Sequence, residues 1–455
     1  MQNCAPLWLG VCVLAMCLPA FPARAQMPAK RWTLTELIDR ALDRDGEVAS
    51  GRWKVESADA RRRQAAAAKI LPRLRIDSKS GLVPDAMGSV FNPPADTTGF
   101  RSLGPFARAE LQFVQPLYPF SLGRHLNEAA TRGVDVEQSD LSQTQLDVAF
   151  AVKELYYGLL LAQDLNSLAQ RVSDELASRA EELDDDPSLS SSDRYKLRLA
   201  QLDLAVQQRE VGDQLALARA ALAWRTGLPS DAPLLLRAER LAPVAASIPS
   251  LDDLITQALD LRPEWRKLQA GLAAKQALAQ AARAAYQPQV FVSGGLRYAV
   301  APGRTDQRNP FVKDEFNFFN GGVFIGVRQS LEWHLLAADV DRARAEYRAL
   351  EVRVPSAQEG IRLDVHRAYL DYRRADRDLQ DARKSRRLAR QWLREARDDF
   401  EFDPQTIGEL ISAFETWARR EQAYGEALYD FNLSVARLEK TTGGLELIPR
   451  DDTTP

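Results

Sequence analysis

Between Ser121 and Leu183 the chain carries no proline, and an apolar residue returns at every seventh position: Val134, Leu141, Val148, Leu155, Ala162, Ala169, Leu176 and Leu183. A seven-residue apolar repeat held over this many turns is a coiled-coil seam. At ~1.5 Å of rise per residue such a helix is roughly 90 Å long, far more than a compact globular domain needs. The run Asp184-Asp185-Asp186-Pro187-Ser188 then breaks it, because proline cannot continue a helix and Ser or Asp caps the next one. A second helix, from about Asp193 to Arg225, is expected to fold back, giving a hairpin with its tip at about 184–192.

The hairpin belongs to a unit that occurs twice. Leu34-Thr35-Glu36-Leu37-Ile38-Asp39-Arg40-Ala41-Leu42-Asp43 matches Leu251-Asp252-Asp253-Leu254-Ile255-Thr256-Gln257-Ala258-Leu259-Asp260, and Glu47 and Glu264 continue the register. Both copies run into an Ala-rich helical stretch that stops at a proline, Pro72 or Pro288. Both end alike, Leu222 to Thr226-Gly227 and Leu438 to Thr442-Gly443, with a glycine suited to a helix C-cap. Residues 228–249, with four prolines, read as a linker. The expected layout is a first repeat over 26–227, the linker, a second repeat over 250–443 and a tail over 444–455. Each repeat reads helix, strand, strand, long helix, helix. In the second, a helix over about Ala357 to Phe402 turns at about 403–408, through Asp403-Pro404-Gln405, and returns to about Thr441.

The strands, at about 73–83, 106–117, 289–300 and 318–331, are two-faced. Ala107, Ala109, Leu111 and Phe113 alternate with Arg108, Glu110 and Gln112; Val323, Ile325 and Val327 oppose Phe324, Gly326 and Arg328; Val290, Val292, Gly294 and Leu296 share a face. Only Arg75 to Ser80 alternates weakly. Alternation of this kind suits a barrel with lipid outside and water inside, and equally a half-buried sheet of a soluble domain. The joining segments, about 84–104 and 301–316, are rich in Pro, Gly, Asn and Asp and read as loops.

The N-terminus decides the compartment. Ala5 to Pro22 is uncharged and mostly apolar, and Ala23-Arg24-Ala25 follows as a small-residue cleavage pattern, so residues 1–25 are expected to be a signal peptide. All three cysteines, Cys4, Cys12 and Cys17, lie within it, which leaves no disulfide framework and no thiol nucleophile beyond it. Met16 is too large for the residue before a lipidated cysteine, so lipidation at Cys17 is not expected. No later run of about 18 apolar residues exists, so a membrane span can only be made of β-strands. Four strands cannot close a barrel, and open edges in lipid leave unpaired backbone groups costing several kcal/mol each. Identical chains in a closed ring are the natural remedy, and three of them would give twelve strands and an aqueous lumen.

Enzymatic readings find no support. His125, His334 and His366 lie far apart, no phosphate-binding loop or nucleophile elbow occurs, and a formal net charge of −3 gives no field for nucleic acid. No catalytic, cofactor-binding or metal residue is expected.

On these features the chain resembles the TolC-like outer-membrane efflux family. The resemblance rests on the duplicated Leu-x-x-Leu-Ile-x-x-Ala-Leu openings, on Leu71-Pro72 and Gln287-Pro288, and on Gln115-Pro116-Leu117-Tyr118. Glu154-Leu155-Tyr156-Tyr157-Gly158-Leu159-Leu160-Leu161-Ala162-Gln163 and Tyr429-Asp430-Phe431-Asn432-Leu433 add to it. It implies a mainly α fold with a membrane β-barrel: a homotrimer sharing a twelve-stranded barrel in outer-membrane lipid, above an α-barrel of coiled-coil hairpins crossing the periplasm. The chain would be a passive exit duct of a tripartite efflux or type I secretion system, with a periplasmic adaptor protein and an inner-membrane pump as partners. The alternative is a periplasmic coiled-coil adaptor or scaffold without a barrel.

The resemblance also suggests a periplasmic entrance. Thr406-Ile407-Gly408-Glu409-Leu410 resembles the tip motif of the second hairpin, with Glu409 at the pore-facing acidic position; Ser412 stands where the family often has a further Asp. Asp193 occupies the matching place in the first hairpin, where it also reads simply as an acid favoured by a helix N-terminus. Asp403 belongs to the same tip. Tyr118, Phe120 and Trp333 read either as membrane-interface aromatics or as packing where strands join helices.

Overall fold

The computed structural model describes residues 30–88, 91, 102–184, 191–229, 234–306, 309, 311–402, 407–444 and 447. The expected signal segment, most of the loop before residue 102 and both hairpin turns, with Asp403 and Thr406, lie outside the described residues.

Each repeat opens with a short capped helix. Helix α1 (Leu34–Arg44) starts at Thr33, whose hydroxyl accepts from the Glu36 amide at 3.2 Å while the Glu36 carboxylate accepts from the Thr33 amide at 3.0 Å. This reciprocal closure satisfies two amides that a helix start otherwise leaves orphaned. Its counterpart α5 (Leu251–Leu261) starts at Ser250, whose hydroxyl accepts from the Asp253 amide at 3.3 Å. The duplicated positions are buried alike: Leu37 and Ala41 in the first copy, Leu254 and Ala258 in the second, are fully excluded from solvent. Helices α2 (Gly46–Ile70) and α6 (Pro263–Ala284) follow. Asp45 caps α2 by accepting from the Glu47 and Val48 amides, and Pro263 opens α6, where its missing amide is no loss.

Long helices make up the rest. In the first repeat α3 (Phe120–Asp184) runs unbroken for 65 residues, about 98 Å at ~1.5 Å per residue, and α4 (Ser191–Thr226) returns along it. In the second repeat the outgoing arm is divided at Val352 into α7 (Trp333–Glu351) and α8 (Arg353–Phe402). Pro355 explains the division: it offers no amide to the preceding turn and its ring crowds the carbonyl there, and α3 has no such residue. Helix α9 (Ile407–Thr441) returns along α8. Helix α3 packs against α2, α4, α6 and α9, which joins the two repeats into one helical layer.

The core follows the seam with a small rotation. Val148, Val152 and Leu159 of α3 are essentially inaccessible, whereas Leu155 and Ala162, from the seven-residue row read in the sequence, flank them half-buried. A second cluster, Leu168, Val172, Leu393, Ala396, Ala413 and Phe414, continues the core toward the hairpin ends.

Both repeats end with one device. Thr226 and Thr442, each fully buried, donate their hydroxyls to the carbonyls of Leu222 and Leu438, at 2.7 and 2.9 Å. Gly227 then turns at φ 63°, and Gly443 and Gly444 at φ 85° and 89°. At Gly443 a Cβ would lie 2.7 Å from the backbone of Leu261 and Arg262, so close approach as well as the left-handed turn requires glycine.

The segment expected to be a simple linker is fastened to the helices. Strand β1 (Arg31–Trp32) pairs in parallel with β4 (Leu235–Leu236). Beyond it, Asp164 of α3 accepts from the Leu241 amide at 3.0 Å. Asn432 of α9, itself fully buried, donates to the Ala242 carbonyl at 2.8 Å and accepts from the Val244 amide at 3.0 Å. Burial pushes the Asp164 carboxyl up from its ordinary value, against the Leu241 amide and nearby arginines.

Four strands form one antiparallel sheet in the order β2 (Arg73–Pro84), β3 (Leu103–Tyr118), β5 (Gln289–Val300), β6 (Phe318–Arg328). The first repeat supplies one hairpin and the second the other, meeting at β3 and β5. Strand β6 ends three residues short of the expected boundary, where Gln329 turns its amide onto the Tyr286 carbonyl at 3.0 Å.

Candidate functional site: a two-faced sheet and the hairpin ends

Residues directly opposite each other in an antiparallel pair share a face, so the register sorts every strand residue onto one of two surfaces. Leu74, Phe113, Gly294 and Val323 lie in one cross-strand row; Ile76, Leu111, Leu296 and Gly321 in a second; Ser78, Ala109, Tyr298 and Phe319 in a third. Between them run Arg75, Gln112, Gly295 and Gly322; Asp77, Glu110, Arg297 and Asn320; and Lys79, Arg108, Ala299 and Phe318. Every charged residue of the four strands falls on the second surface. The first carries none, and its large side chains stand open: Ile76 is 73% exposed, Val323 67% and Ile325 77%. A soluble protein buries such a face, because its transfer from water is worth about 25 cal/mol per Å².

The polar face is internally paired. Arg75 contacts Asp77 along β2, Arg108 bonds Glu110 along β3, and the Arg297 Nε donates to the Asn320 side chain at 2.9 Å. Arg108 lies over the Phe318 ring at 5.6 Å and Arg328 over Phe291 at 5.1 Å. Glycines at 294, 295 and 321 let neighbouring strands and rings close up: a Cβ on Gly294 would meet Phe113 at 2.5 Å.

Among the described residues neither sheet edge is paired. Strands β2 and β6, 12 and 11 residues long, are the outer strands. Strand directions alternate across the sheet, so β6 of one copy would meet β2 of another antiparallel. Helix α4 likewise lacks a partner among the described residues along one stripe. Tyr195, Leu199, Leu202, Val206, Leu217 and Trp224 fall on one side at helical spacing and are all exposed, Trp224 at 78%.

The three aromatics expected near a membrane boundary sit at the end of the sheet where strands meet helices. Tyr118 closes β3, Phe120 opens α3, and both are exposed. Trp333 opens α7 and stacks on Tyr286, ring centroids 6.2 Å apart and nearly parallel, so it also packs within the junction.

At the opposite end of the helices, Glu409 lies exposed in the first turn of α9, and Ser412 is occupied in donating to the Gly408 carbonyl at 2.9 Å. Asp193 belongs to the first turn of α4. From Arg397 to Arg419 the sequence contains no other basic residue but holds Asp398, Asp399, Glu401, Asp403, Glu409 and Glu415. Behind this acidic end the shaft is tied by Arg397 to Glu175 at 2.7 Å and by Arg386 and Arg390 to Glu421. Burial alone would raise the Glu421 carboxyl; the hydrogen bonds from Arg390 and Arg386 outweigh it and hold it below its usual range. Among the described residues no helix is long and apolar enough to cross a membrane, and no group of His, Cys, Asp and Glu could hold a metal ion.

The sheet, with one uncharged, solvent-open face, is thus carried on long helical hairpins. Residues 254–444, nearly the whole second repeat, match the family model described as outer membrane efflux protein. The fold is that of several solved outer-membrane channels. The open-state MtrE channel of Neisseria gonorrhoeae aligns with TM-score 0.73 and 20% identity over 92% of this chain and 91% of that one. CmeC of Campylobacter jejuni aligns at 0.71 and 16% over 92% and 87%, and VceC of Vibrio cholerae at 0.72 and 14% over 90% and 96%. No curated protein matches the chain. The chain therefore has the TolC-like outer-membrane channel fold, and its second repeat carries the signature of the outer membrane efflux proteins.

Proposed function

We propose that the chain is one subunit of a homotrimeric outer-membrane exit duct, delivering to the outside solutes handed over by an inner-membrane pump through a periplasmic adaptor protein. The observation that carries this reading is the sheet: all its charges on one face, none on the other, and both edges open. Lipid covers the uncharged face at no cost, water fills the charged side, and neighbouring copies pair the edges. The exposed stripe of α4 asks for a neighbour over the same ring, as a head-to-tail assembly supplies. Three copies give twelve strands, the number that the resemblance implies. A soluble adaptor would have no use for the uncharged sheet face.

In this reading the duct performs no chemistry. The hairpin ends form the periplasmic entrance, with Glu409 and its acidic neighbours lining it, and the adaptor docks around them. The decisive experiment is the mass of detergent-extracted membrane protein by light scattering, with bound detergent subtracted. Three chains per particle, obtained only after detergent extraction, is the expected result; a water-soluble monomer or dimer overturns it. For the entrance, Glu409→Gln is expected to lower cation preference in planar-bilayer recordings, and an unchanged reversal potential would remove Glu409 from the pore.

A further inference from the structure

The charged face of the sheet is not neutral. The register collects on it Arg73, Arg75, Lys79, Arg108, Arg297 and Arg328, against only Asp77 and Glu110. The two acids are already engaged by Arg75 and Arg108 on their own strands. Arg73 and Lys79 have no ion pair among the described residues, and Arg297 and Arg328 face an amide and a ring. All four are exposed. Four uncompensated cations therefore remain per chain, spread along most of the strand length from Arg328 and Arg73 at the helix side to Lys79 and Arg297 toward the loops. The hairpin ends are acidic, so the excess is local to the sheet and invisible in the overall charge of −3.

We infer that this face forms a cationic wall of the barrel lumen and that the channel's barrel section favours solutes bearing net negative charge; the inference rests on the channel reading above. Each further copy in the ring adds the same set, and charges on the same stretch of wall that lie within a Debye length of about 8 Å act together. Low-dielectric walls focus such a field and raise the local concentration of the opposite ion by about tenfold or more. A carboxylate or phosphate group on the exported solute is the chemistry such a wall accepts, while a polycation would meet a barrier there after passing the acidic entrance.

The test is the reversal potential of the purified, reconstituted protein in planar bilayers under a potassium chloride gradient. Compared with the unmodified channel, the double variant Arg73→Gln, Lys79→Gln is expected to lower the chloride-to-potassium permeability ratio several-fold, and Arg297→Gln alone to lower it less. Asp77→Asn should raise it. Among the described residues neither Arg73 nor Lys79 has an ion pair to lose, and the single Arg297 variant serves if the double one fails to insert. Conducting channels whose permeability ratio is the same in all variants overturn the cationic wall while leaving the channel intact. Protein that inserts and never conducts overturns the channel reading itself.

Discussion

The amide of Asn432 does what a short β-bridge would do, from the middle of a helix. It gives one hydrogen bond to the Ala242 carbonyl and takes one from the Val244 amide, at 2.8 and 3.0 Å, and its own side chain is fully buried. Asn432→Ala removes both bonds. Ala242 is exposed, so its carbonyl recovers water and the loss there is about 0.5–1 kcal/mol; the half-buried Val244 amide loses a partner it does not regain, about 1–2 kcal/mol. The local cost is therefore about 2 kcal/mol, or roughly a 30-fold rise in the open population of the segment at ~1.4 kcal/mol per factor of ten. Arg237 and Arg240 lie just before the clamp and give trypsin its cleavage sites. When opening is fast relative to cleavage, the cleavage rate follows that population, so cutting after these arginines should accelerate about 30-fold in the detergent-extracted protein. Asp164→Asn keeps an acceptor for the Leu241 amide while removing a carboxylate that burial disfavours, and should accelerate cutting by less than about three-fold. An Asn432→Ala rate within two-fold of the unmodified protein would refute the argument that the amide holds the segment.

Gly443→Ala forces a Cβ against the backbone of Leu261 and Arg262 at a positive φ and should destabilise by more than about 2 kcal/mol. Gly360→Ala, in the interior of α8 with open space at its Cβ, should instead stabilise by about 0.5–1 kcal/mol; thermal unfolding of the two variants side by side checks the opposite signs. For Glu421, the folded-state carboxyl is held below its unfolded value, so its stabilisation is present above the ordinary carboxylate range and is lost as pH falls through that range and below it. Glu421→Gln should accordingly lower the melting temperature near neutral pH and flatten its decline on acidification, measured from pH 7 to pH 3; an unchanged acid limb would mean the clamp by Arg386 and Arg390 contributes nothing.

Periodicity makes the helices legible in the sequence alone, because a coiled-coil seam writes itself there every seven residues, from Leu141 through Val148 and Leu155. The likeness of Leu37 to Leu254 and of Thr226 to Thr442 is legible for a related reason: each pair meets identical demands of burial or hydrogen bonding, and so keeps identical residue types. The interruption at Val352 also has a written cause in Pro355, although its effect depends on where the helix begins. What could not be read was anything decided by pairing across long separations. The clamp of Asn432 on residues 242–244 joins positions with no shared pattern, and an asparagine in a helix signals nothing by itself. The parallel pairing of Arg31–Trp32 with Leu235–Leu236 is too short to alternate. At the hairpin ends, the acidic run from Asp398 to Glu415 is plain in the sequence, but which of its members would line the proposed entrance depends on neighbouring copies of the chain.

The sheet shows most clearly where local reading stops. Arg75 to Ser80 alternates poorly on its own, since Ser78 and Ser80 occupy the positions that Leu74 and Ile76 begin as an apolar row. Only the register, which sets Ser78 beside Ala109, Tyr298 and Phe319, makes these serines members of the uncharged face. A shift of one residue in either hairpin would carry its basic residues onto that face, at about 2–4 kcal/mol for each such charge near the midplane of a bilayer. The same register is therefore what clears one surface of charge and what gathers the basic residues onto the other, so the uncharged face proposed for lipid and the face proposed as a cationic wall are two consequences of a single pairing pattern.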